Sequence, residues 1–220
     1  MLEWGPTVEP FLLSFVLTAP FIAWLRPRAI TYATGATLVA GAALVVEALV
    51  GSSLDPITAD LVVLVFIAPF VEELLKFAAS GATGANFSTA AGAGIGFAAT
   101  ENGVYFLAAW GEPTSYLVAL VAIRALTDPL LHSTACTLST LSWRGRWWGL
   151  PAAIAIHVSW NTATLFYVLV DPTTGLIMLL AAGFAVFGIM LALRRDTATR
   201  DDLSNRWRLN AWSGTEVSAG

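Results

Sequence analysis

Long apolar stretches, separated by short polar segments, dominate the pattern of this chain. A helix needs about 20 predominantly apolar residues to cross the hydrocarbon core of a bilayer. The stretches that are long enough are residues 7–25, 29–50, 57–79, 87–110, 114–141, 147–170 and 172–193. The pattern therefore predicts an all-α polytopic membrane protein with about seven transmembrane helices.

Composition supports this interpretation and excludes an ordinary soluble domain. The chain has 220 residues, of which 57% are hydrophobic and 12% charged, and its mean hydropathy is +0.73. Residues 1–195 are predicted to form a single seven-helix domain, and residues 196–220 a polar cytoplasmic tail that is disordered or lies at the membrane surface. Cys136 is the only cysteine, which excludes an internal disulfide and a multi-thiolate metal site.

The charges of the connecting segments predict the orientation. Arginines occupy alternate connections and the segment after the last stretch, whereas the opposite connections carry only acids. The arginines are Arg26, Arg28, Arg144, Arg146, Arg194, Arg195, Arg200, Arg206 and Arg208, and the acids are Glu3, Glu9, Asp55, Glu112 and Asp171. By the positive-inside rule, the N-terminus lies outside and the C-terminus is cytoplasmic. We expect an integral protein of the plasma membrane of a prokaryote.

Several ionisable or imidazole side chains nevertheless lie inside or at the ends of the apolar stretches. Such groups are costly in a bilayer unless they face a wet interior, so they indicate a functional pocket. They are Glu47, Asp60, Glu72, Glu73, Lys76, Glu101, Arg124, Asp128, His132 and His157.

The third stretch contains two adjacent glutamates and a lysine. Lys76 can pair with Glu72 at i,i+4 or with Glu73 at i,i+3, while the two carboxylates point about 100° apart on a helix. One carboxylate is therefore expected to pair and the other to remain free. A salt bridge at the membrane interface, with Lys76 reaching the headgroups, is the non-functional alternative.

The fourth and sixth stretches carry isolated polar groups. Glu101 lies deep in the fourth stretch without a basic residue within a turn, so its partner must come from another helix. His157 and Asn161 project from one face of the sixth, where they can donate two hydrogen bonds to one oxygen. Hydrogen bonds that merely join helices are the alternative for both sites.

In the fifth stretch, a cation, an anion and an imidazole recur every four residues, at Arg124, Asp128 and His132. This spacing stacks them on one helix face, where Asp128 can fix the tautomer of His132. Pro129 removes a backbone hydrogen bond and is expected to kink the helix. A purely structural ladder is the alternative interpretation.

A common depth connects these sites. Counted from the inner ends of their helices, Glu72, Glu73, Glu101, His132 and His157 lie roughly 7 to 14 residues in, or about 10 to 20 Å. Acids and imidazoles of four neighbouring helices can therefore meet, which is difficult to explain by independent packing.

These motifs resemble those of the PrsW family of intramembrane proteases. The motifs are Glu-Glu-x-x-Lys at 72–76, Phe-x-x-x-Glu at 97–101, a lone histidine at 132 and His-x-x-x-Asn at 157–161. The resemblance covers about residues 60–165. Through PrsW the chain is similar to the CAAX prenyl protease and bacteriocin-processing group of membrane proteins. That group carries histidine where this chain has Glu101, so prenylated substrates are not implied.

The resemblance implies an intramembrane endopeptidase. Glu72 would be the general base that activates water, with Glu73 supporting it, and Glu101 would orient the water or shuttle its proton. The side chains that would bind the carbonyl oxygen as it becomes an oxyanion are His132, His157 and Asn161. The supporting side chains are Lys76, Arg124 and Asp128. Amide hydrolysis requires such a base and such hydrogen-bond donors.

The same residue types also allow a zinc site with an open position for water. If a metal ion is present, its expected ligands are Glu73, Glu101, His132 and His157. Metal-free glutamate chemistry is favoured because the chain contains no His-Glu-x-x-His, and Zn²⁺ is the alternative cofactor.

The leading hypothesis is an enzyme that cuts a membrane-anchored protein, for which an anti-sigma factor is a candidate by family resemblance. A non-enzymatic scaffold similar to the APH-1 subunit of γ-secretase is second. A proton-coupled transporter is third, because no inverted repeat is visible. Substrate protein and lipid bilayer are the expected partners, and nucleic acid is not. Convergence of the polar residues on one space would favour the enzyme, and their dispersal the scaffold.

Overall fold

The computed structural model describes residues 5–25, 29–55, 58, 61–82 and 86–213. Glu3, Arg26, Arg28 and Asp60, which the sequence analysis singled out, lie outside the described residues, as do the side chains beyond residue 196. Every regular element in the described part of the chain is helical, which confirms the all-α prediction.

The described elements are α-helices with two short π-helical interruptions. The α-helices are α1 (Gly5–Leu17), α2 (Ala19–Leu25), α3 (Ala29–Thr34), α4 (Ala40–Gly51), α5 (Ala68–Ala82), α6 (Phe87–Ala108), α7 (Thr114–Trp143), α8 (Gly149–Leu169) and α9 (Pro172–Ser213). Gly35–Val39 is π-helical between α3 and α4, and Val63–Ile67 is π-helical directly before α5.

Five helical segments among the described residues are long and apolar enough to cross a membrane. They are Val8–Leu25, Thr31–Gly51, Thr114–Trp143, Gly149–Leu169 and Pro172–Asp196. Large apolar side chains on their surfaces are exposed, for example Val16 at 67% and Phe184 at 76%. Such surfaces suit a lipid environment and not water, as expected of an integral membrane protein.

The two predicted spans outside this set, 57–79 and 87–110, each contain charged residues of the predicted site. α5 contains Glu72, Glu73 and Lys76, and α6 contains Glu101. α6 is also enclosed by protein: every residue from 89 to 99 is buried, and the helix contacts α1, α3, α5 and α7. A helix at the centre of the bundle can be less apolar because other helices, not lipid, surround it. The total of seven spans and the orientation stay predictions.

Small residues bring α6 close to α7. A Cβ atom added at Gly94 would overlap the backbone carbonyl of His132, and one added at Gly35 would overlap the carbonyl of Ala93. Glycine at these positions permits helix backbones to approach to contact distance. The approach at Gly94 places His132 beside the face of α6 that carries Glu101.

A proline explains the π-helical turn before α5. Pro69 lacks an N–H group, and its ring disfavours the ordinary position of the carbonyl four residues earlier, at Val65 within the π-helical segment. Wider turns of this kind relieve such a clash and are frequent at functional sites. In a π-helical turn each carbonyl pairs with the N–H group five residues later, so the missing N–H of Pro69 leaves the Leu64 carbonyl without this partner. The Leu64 carbonyl instead accepts a hydrogen bond from Asn161 Nδ2 at 2.7 Å, which joins α8 to this turn.

α7 continues through Pro129 as one element of 30 residues. Its C-terminal end is fixed to α5, because Trp143 Nε1 donates to the carbonyl of Phe77 at 2.9 Å and the two rings stack with centroids 4.6 Å apart. α9 extends as helix to Ser213, beyond the point where the polar tail is predicted to begin. The position of that tail relative to the membrane stays a prediction.

Candidate active site

Lys76 lies between the two glutamates of α5. Its Nζ atom is 3.0 Å from Glu72 Oε2 and 2.9 Å from Glu73 Oε1, and all three side chains are buried. The expectation that only one carboxylate pairs is therefore wrong, because one ammonium reaches both. Lys76 is 0% exposed, so the salt bridge lies inside the protein and not at the membrane interface.

His132 connects Lys76 to Glu101. Its Nδ1 atom lies 2.7 Å from Lys76 Nζ, and its Nε2 atom lies 2.8 Å from Glu101 Oε2. Because an ammonium only donates, Nδ1 is the acceptor and Nε2 carries the hydrogen given to Glu101. The tautomer of His132 is thus set by Lys76 and Glu101, and the prediction that Asp128 fixes it is wrong.

His157 is held from the opposite side. Its Nδ1 atom lies 2.9 Å from Glu73 Oε1 and donates to that carboxylate, while its Nε2 atom faces Glu72 Oε2 at 3.8 Å. The latter separation is too long for a direct hydrogen bond but suits a molecule that bonds to both atoms. The two imidazole rings meet edge to face with centroids 5.0 Å apart. We call Glu72, Glu73, Lys76, His132 and His157 the inner cluster.

A second group of polar side chains surrounds Arg124. Its guanidinium lies 3.1 Å from Glu101 Oε1 and 2.6 Å from Asp128 Oδ2, and its Nε atom donates to Asn102 Oδ1 at 2.8 Å. It also lies 3.6 Å from the ring centroid of Tyr105. We call Glu101, Asn102, Tyr105, Arg124 and Asp128 the outer cluster. The side chains of Glu101 and Arg124 are 13% and 15% exposed, whereas no side chain of the inner cluster is more than 3% exposed.

A cavity of about 370 Å³ reaches both clusters. Its polar floor is formed by Glu101, Arg124, Asp128, His132, His157 and Asn161. Apolar side chains such as Leu131, Trp160 and Leu179 form the walls, which extend to Tyr116 and Leu169 near the helix ends next to Glu112 and Asp171. Glu72, Glu73 and Lys76 do not line the cavity but lie behind the two imidazoles.

The structure brings the predicted residues of four helices together. Donor atoms of Glu72, Glu73, His132 and His157 all lie within 4.8 Å of one another, and Glu101 joins them through His132. Asn161 lines the same cavity, but one of its amide hydrogens is used by the Leu64 carbonyl, so it does not simply share an oxygen with His157.

Three side chains near the site have no specific role predicted from the sequence: Glu47, Asn102 and Tyr105. Glu47 of α4 interacts with Glu72 and Glu101, and its Oε1 atom is buried without a hydrogen bond. The signal for Glu47 was its place within an apolar stretch. Asn102 and Tyr105 gave no such signal, because uncharged side chains are common in membrane helices and their role depends on the position of Arg124.

A family model described as PrsW family intramembrane metalloprotease matches residues 25–193 of the chain. The match contains every residue of both clusters. Neither a curated protein nor a solved structure matches the chain.

The family description implies a metal ion, and the inner cluster contains suitable donors: two imidazoles and two carboxylates. Glu72, and not the predicted Glu101, completes this set, because Glu101 is turned towards Arg124. The donors nevertheless do not fit a metal ion as arranged. The ammonium of Lys76 already lies 2.7–3.0 Å from donor atoms of Glu72, Glu73 and His132.

Proposed function

The chain belongs to the PrsW family of intramembrane metalloproteases, and from that premise we propose that it is an endopeptidase that hydrolyses a peptide bond of a membrane-anchored protein. The observation that carries this proposal is the floor of the cavity. Acid, imidazole and amide groups from α6, α7 and α8 meet there beneath apolar walls, and the two carboxylates of α5 lie directly behind the imidazoles. Such a cavity accepts an apolar side chain of a substrate and brings its backbone to polar groups.

Glu72 is the proposed general base. Its Oε2 atom and His157 Nε2 lie 3.8 Å apart, a separation that allows one water molecule to hydrogen-bond to both. Lys76 holds the Glu72 carboxylate in place. In the reaction, the water oxygen bonds to the carbonyl carbon of the substrate while the water proton passes to Glu72.

His157 and Asn161 are the proposed donors to the oxyanion. Glu73 accepts the Nδ1 hydrogen of His157 and would stabilise positive charge on this imidazole, which lines the cavity. Asn161 keeps a second amide hydrogen after its bond to Leu64. When the C–N bond breaks, the leaving nitrogen takes the proton from Glu72, which leaves a carboxylic acid, an amine and the original base.

His132 and Glu101 are proposed as positioning residues. Both nitrogens of His132 are already used by Lys76 and Glu101, which argues against a direct bond to the oxyanion. Glu101 borders the cavity and accepts hydrogen bonds from His132 and Arg124, so it is suited to orient the incoming water. A metal ion enters none of these steps.

The cavity also suggests where the substrate enters. Its walls lead towards the ends of α7 and α8 that carry acids and no arginine. With the N-terminus outside, that end is extracytoplasmic, and the membrane is the plasma membrane of a prokaryote. A regulator such as an anti-sigma factor, anchored by one helix, is the proposed type of substrate.

Convergence of the polar residues around one cavity favours an enzyme over a non-enzymatic scaffold. A scaffold needs polar groups only in pairs that join helices, whereas here the imidazole of His157 and the amide of Asn161 border one cavity, in front of the carboxylates of the inner cluster. The test uses purified protein in lipid vesicles with a single-span membrane-anchored reporter, whose cleavage is followed on gels and by mass spectrometry.

Glu72→Gln is expected to lower the cleavage rate by about 10²- to 10⁴-fold, the usual contribution of a general base. His157→Ala should cause a comparable loss. Glu112→Gln, at an exposed position of the α6–α7 connection, is the matched control and should leave the rate unchanged. Equal cleavage by wild type, Glu72→Gln, Glu73→Gln and His157→Ala, all inserted and folded, would rule the proposal out.

A further inference from the structure

Lys76 occupies an unusual position for a lysine. The side chain is 0% exposed, and its Nζ atom contacts Glu72 Oε2 at 3.0 Å, Glu73 Oε1 at 2.9 Å and His132 Nδ1 at 2.7 Å. An ammonium has three hydrogens to donate, so these contacts use all of them. The ammonium also lies 3.9 Å from the ring centroid of Phe97, whose electron-rich face favours a cation.

The partners of Lys76 are the atoms that would bind a metal ion. Three of the four residues whose donors cluster within 4.8 Å contact Nζ directly, and the fourth, His157, shares Glu73 Oε1 with it. A zinc ion would draw these donors to about 2.0–2.2 Å. Two cations cannot share this space, since they would repel one another strongly in a dry interior.

We propose that Lys76 is the resident cation of this site: its ammonium holds Glu72, Glu73 and His132 where a metalloprotease would hold them by a metal ion, and it thereby excludes the metal. The exclusion of metal stands on the contacts of Lys76 alone. Its consequence for catalysis, a protease that works without a metal ion, rests on the proposed function.

The ammonium supplies part of what a metal ion would supply. It compensates two buried carboxylates that would otherwise be costly side by side. It also forces His132 to accept at Nδ1 and therefore to donate from Nε2 to Glu101, which orients that carboxylate at the cavity. A lysine suits this role because its charge is compact and its stem is apolar.

The proposal predicts that removal of the ammonium creates a metal site. Without Lys76, two carboxylates and two imidazoles face one another with no compensating charge, and a divalent ion can take its place. Co²⁺ is the probe, because its absorption bands report tetrahedral nitrogen and oxygen coordination. Chelator-treated wild type, Lys76→Ala and Lys76→Met are titrated with Co²⁺ and then with Zn²⁺ in detergent, and bound metal is also counted by mass spectrometry.

We expect no site-specific Co²⁺ binding by wild type and one bound equivalent in Lys76→Ala or Lys76→Met, lost again when His157→Ala is added. Arg124→Ala is the matched control, because it removes a cation from the outer cluster, which holds no imidazole, and should create no Co²⁺ site. Failure of a folded Lys76 variant to bind Co²⁺ would overturn the proposal. So would wild type that binds one equivalent and loses it in the His157→Ala variant.

The wild-type titration tests whether the inner cluster excludes a metal ion even if the Lys76 variants do not fold. Reporter cleavage is measured in parallel, with and without chelator, and wild-type activity should be unchanged by chelation. Absence of cleavage under every condition would contradict the proposed function. The proposal that Lys76 excludes a metal ion would then be tested by the metal titration alone. Cleavage that is lost on chelation and restored by Zn²⁺ would contradict the role of Lys76 alone.

Discussion

The inner and outer clusters are built from similar parts but differ in their surroundings. Each has two carboxylates around one permanent cation: Glu72 and Glu73 around Lys76, and Glu101 and Asp128 around Arg124. The inner cation is completely buried, whereas Arg124 is 15% exposed and borders the cavity. The inner cluster contains both imidazoles, and the outer cluster contains an amide and an aromatic ring.

This difference indicates a division of labour. A fully buried group of charges holds its members in fixed positions, because any movement would expose an unpaired charge to an apolar interior. A group that touches water tolerates rearrangement and can respond to a substrate. His132 joins the two, since one ring nitrogen faces Lys76 and the other faces Glu101. A hydrolytic site requires both features: polar groups held in fixed positions, and access for water and substrate.

The largest expected difference between the clusters is in stability. Lys76→Met leaves two buried carboxylates uncompensated and should cost about 3–5 kcal/mol in the free energy of unfolding. Arg124→Met should cost less, because water from the cavity can hydrate Glu101 and Asp128. Denaturant-induced unfolding in detergent, followed by circular dichroism and tryptophan fluorescence, measures both.

Arg146→Met, at an exposed position between α7 and α8, is the control for loss of a positive charge and should have almost no effect. Equal losses for Lys76→Met and Arg124→Met would show that the two clusters do not differ in the way described. The denaturation must be done with chelator present, so that a metal ion does not replace the missing ammonium.

A smaller difference is expected in the cleavage rate, when a carboxylate of the inner cluster, Glu73, and one of the outer cluster, Asp128, are each replaced by an amide. Glu73 bonds directly to the imidazole that faces the cavity, so Glu73→Gln should lower the cleavage rate roughly 10- to 100-fold, as loss of an orienting partner usually does. Asp128 pairs with Arg124 and not with an imidazole, and Arg124 keeps Glu101 and Asn102 as partners, so Asp128→Asn should cost less. The reporter assay compares the two initial rates, and a larger loss for Asp128→Asn would reverse the proposed roles.

Most of the fold could be predicted because membrane helices leave a strong one-dimensional signal. The stretches 114–141 and 147–170 correspond to α7 and α8 within three residues at each end. The signal is weaker for α5 and α6, whose polar residues make them poorly apolar. Pro69 marks an irregular turn at Val63–Ile67, but the hydrogen bond from Asn161 to the Leu64 carbonyl could not be predicted, because it forms only when α8 packs against this turn.

The site could be predicted as a set of residues but not as a network. Depth along each helix indicated that Glu72, Glu101, His132 and His157 could meet, because an ionisable group in a membrane needs a partner. The partner of each ionisable side chain depends on how its helix is rotated about the helix axis. Sequence spacing does not determine this rotation. Asp128 therefore pairs with Arg124 while His132 takes Lys76, although Asp128 and His132 are neighbours on one helix face.

The smallest effect tests the electrostatics of the outer cluster. The guanidinium of Arg124 lies 3.6 Å from the Tyr105 ring centroid, and such a contact contributes about 0.5–1 kcal/mol where water is near. Tyr105→Phe keeps the ring and should leave stability nearly unchanged, whereas Tyr105→Leu should lose this amount in addition to its packing. Tyr105→Leu loses the packing of the ring whether or not Arg124 is present, but it loses the cation–π contact only when Arg124 is present. A double-mutant cycle with Arg124→Met therefore separates the packing contribution from the cation–π contribution. A coupling free energy near zero would mean that the ring serves only as a wall of the cavity, and that Arg124 is held by Glu101, Asn102 and Asp128 alone.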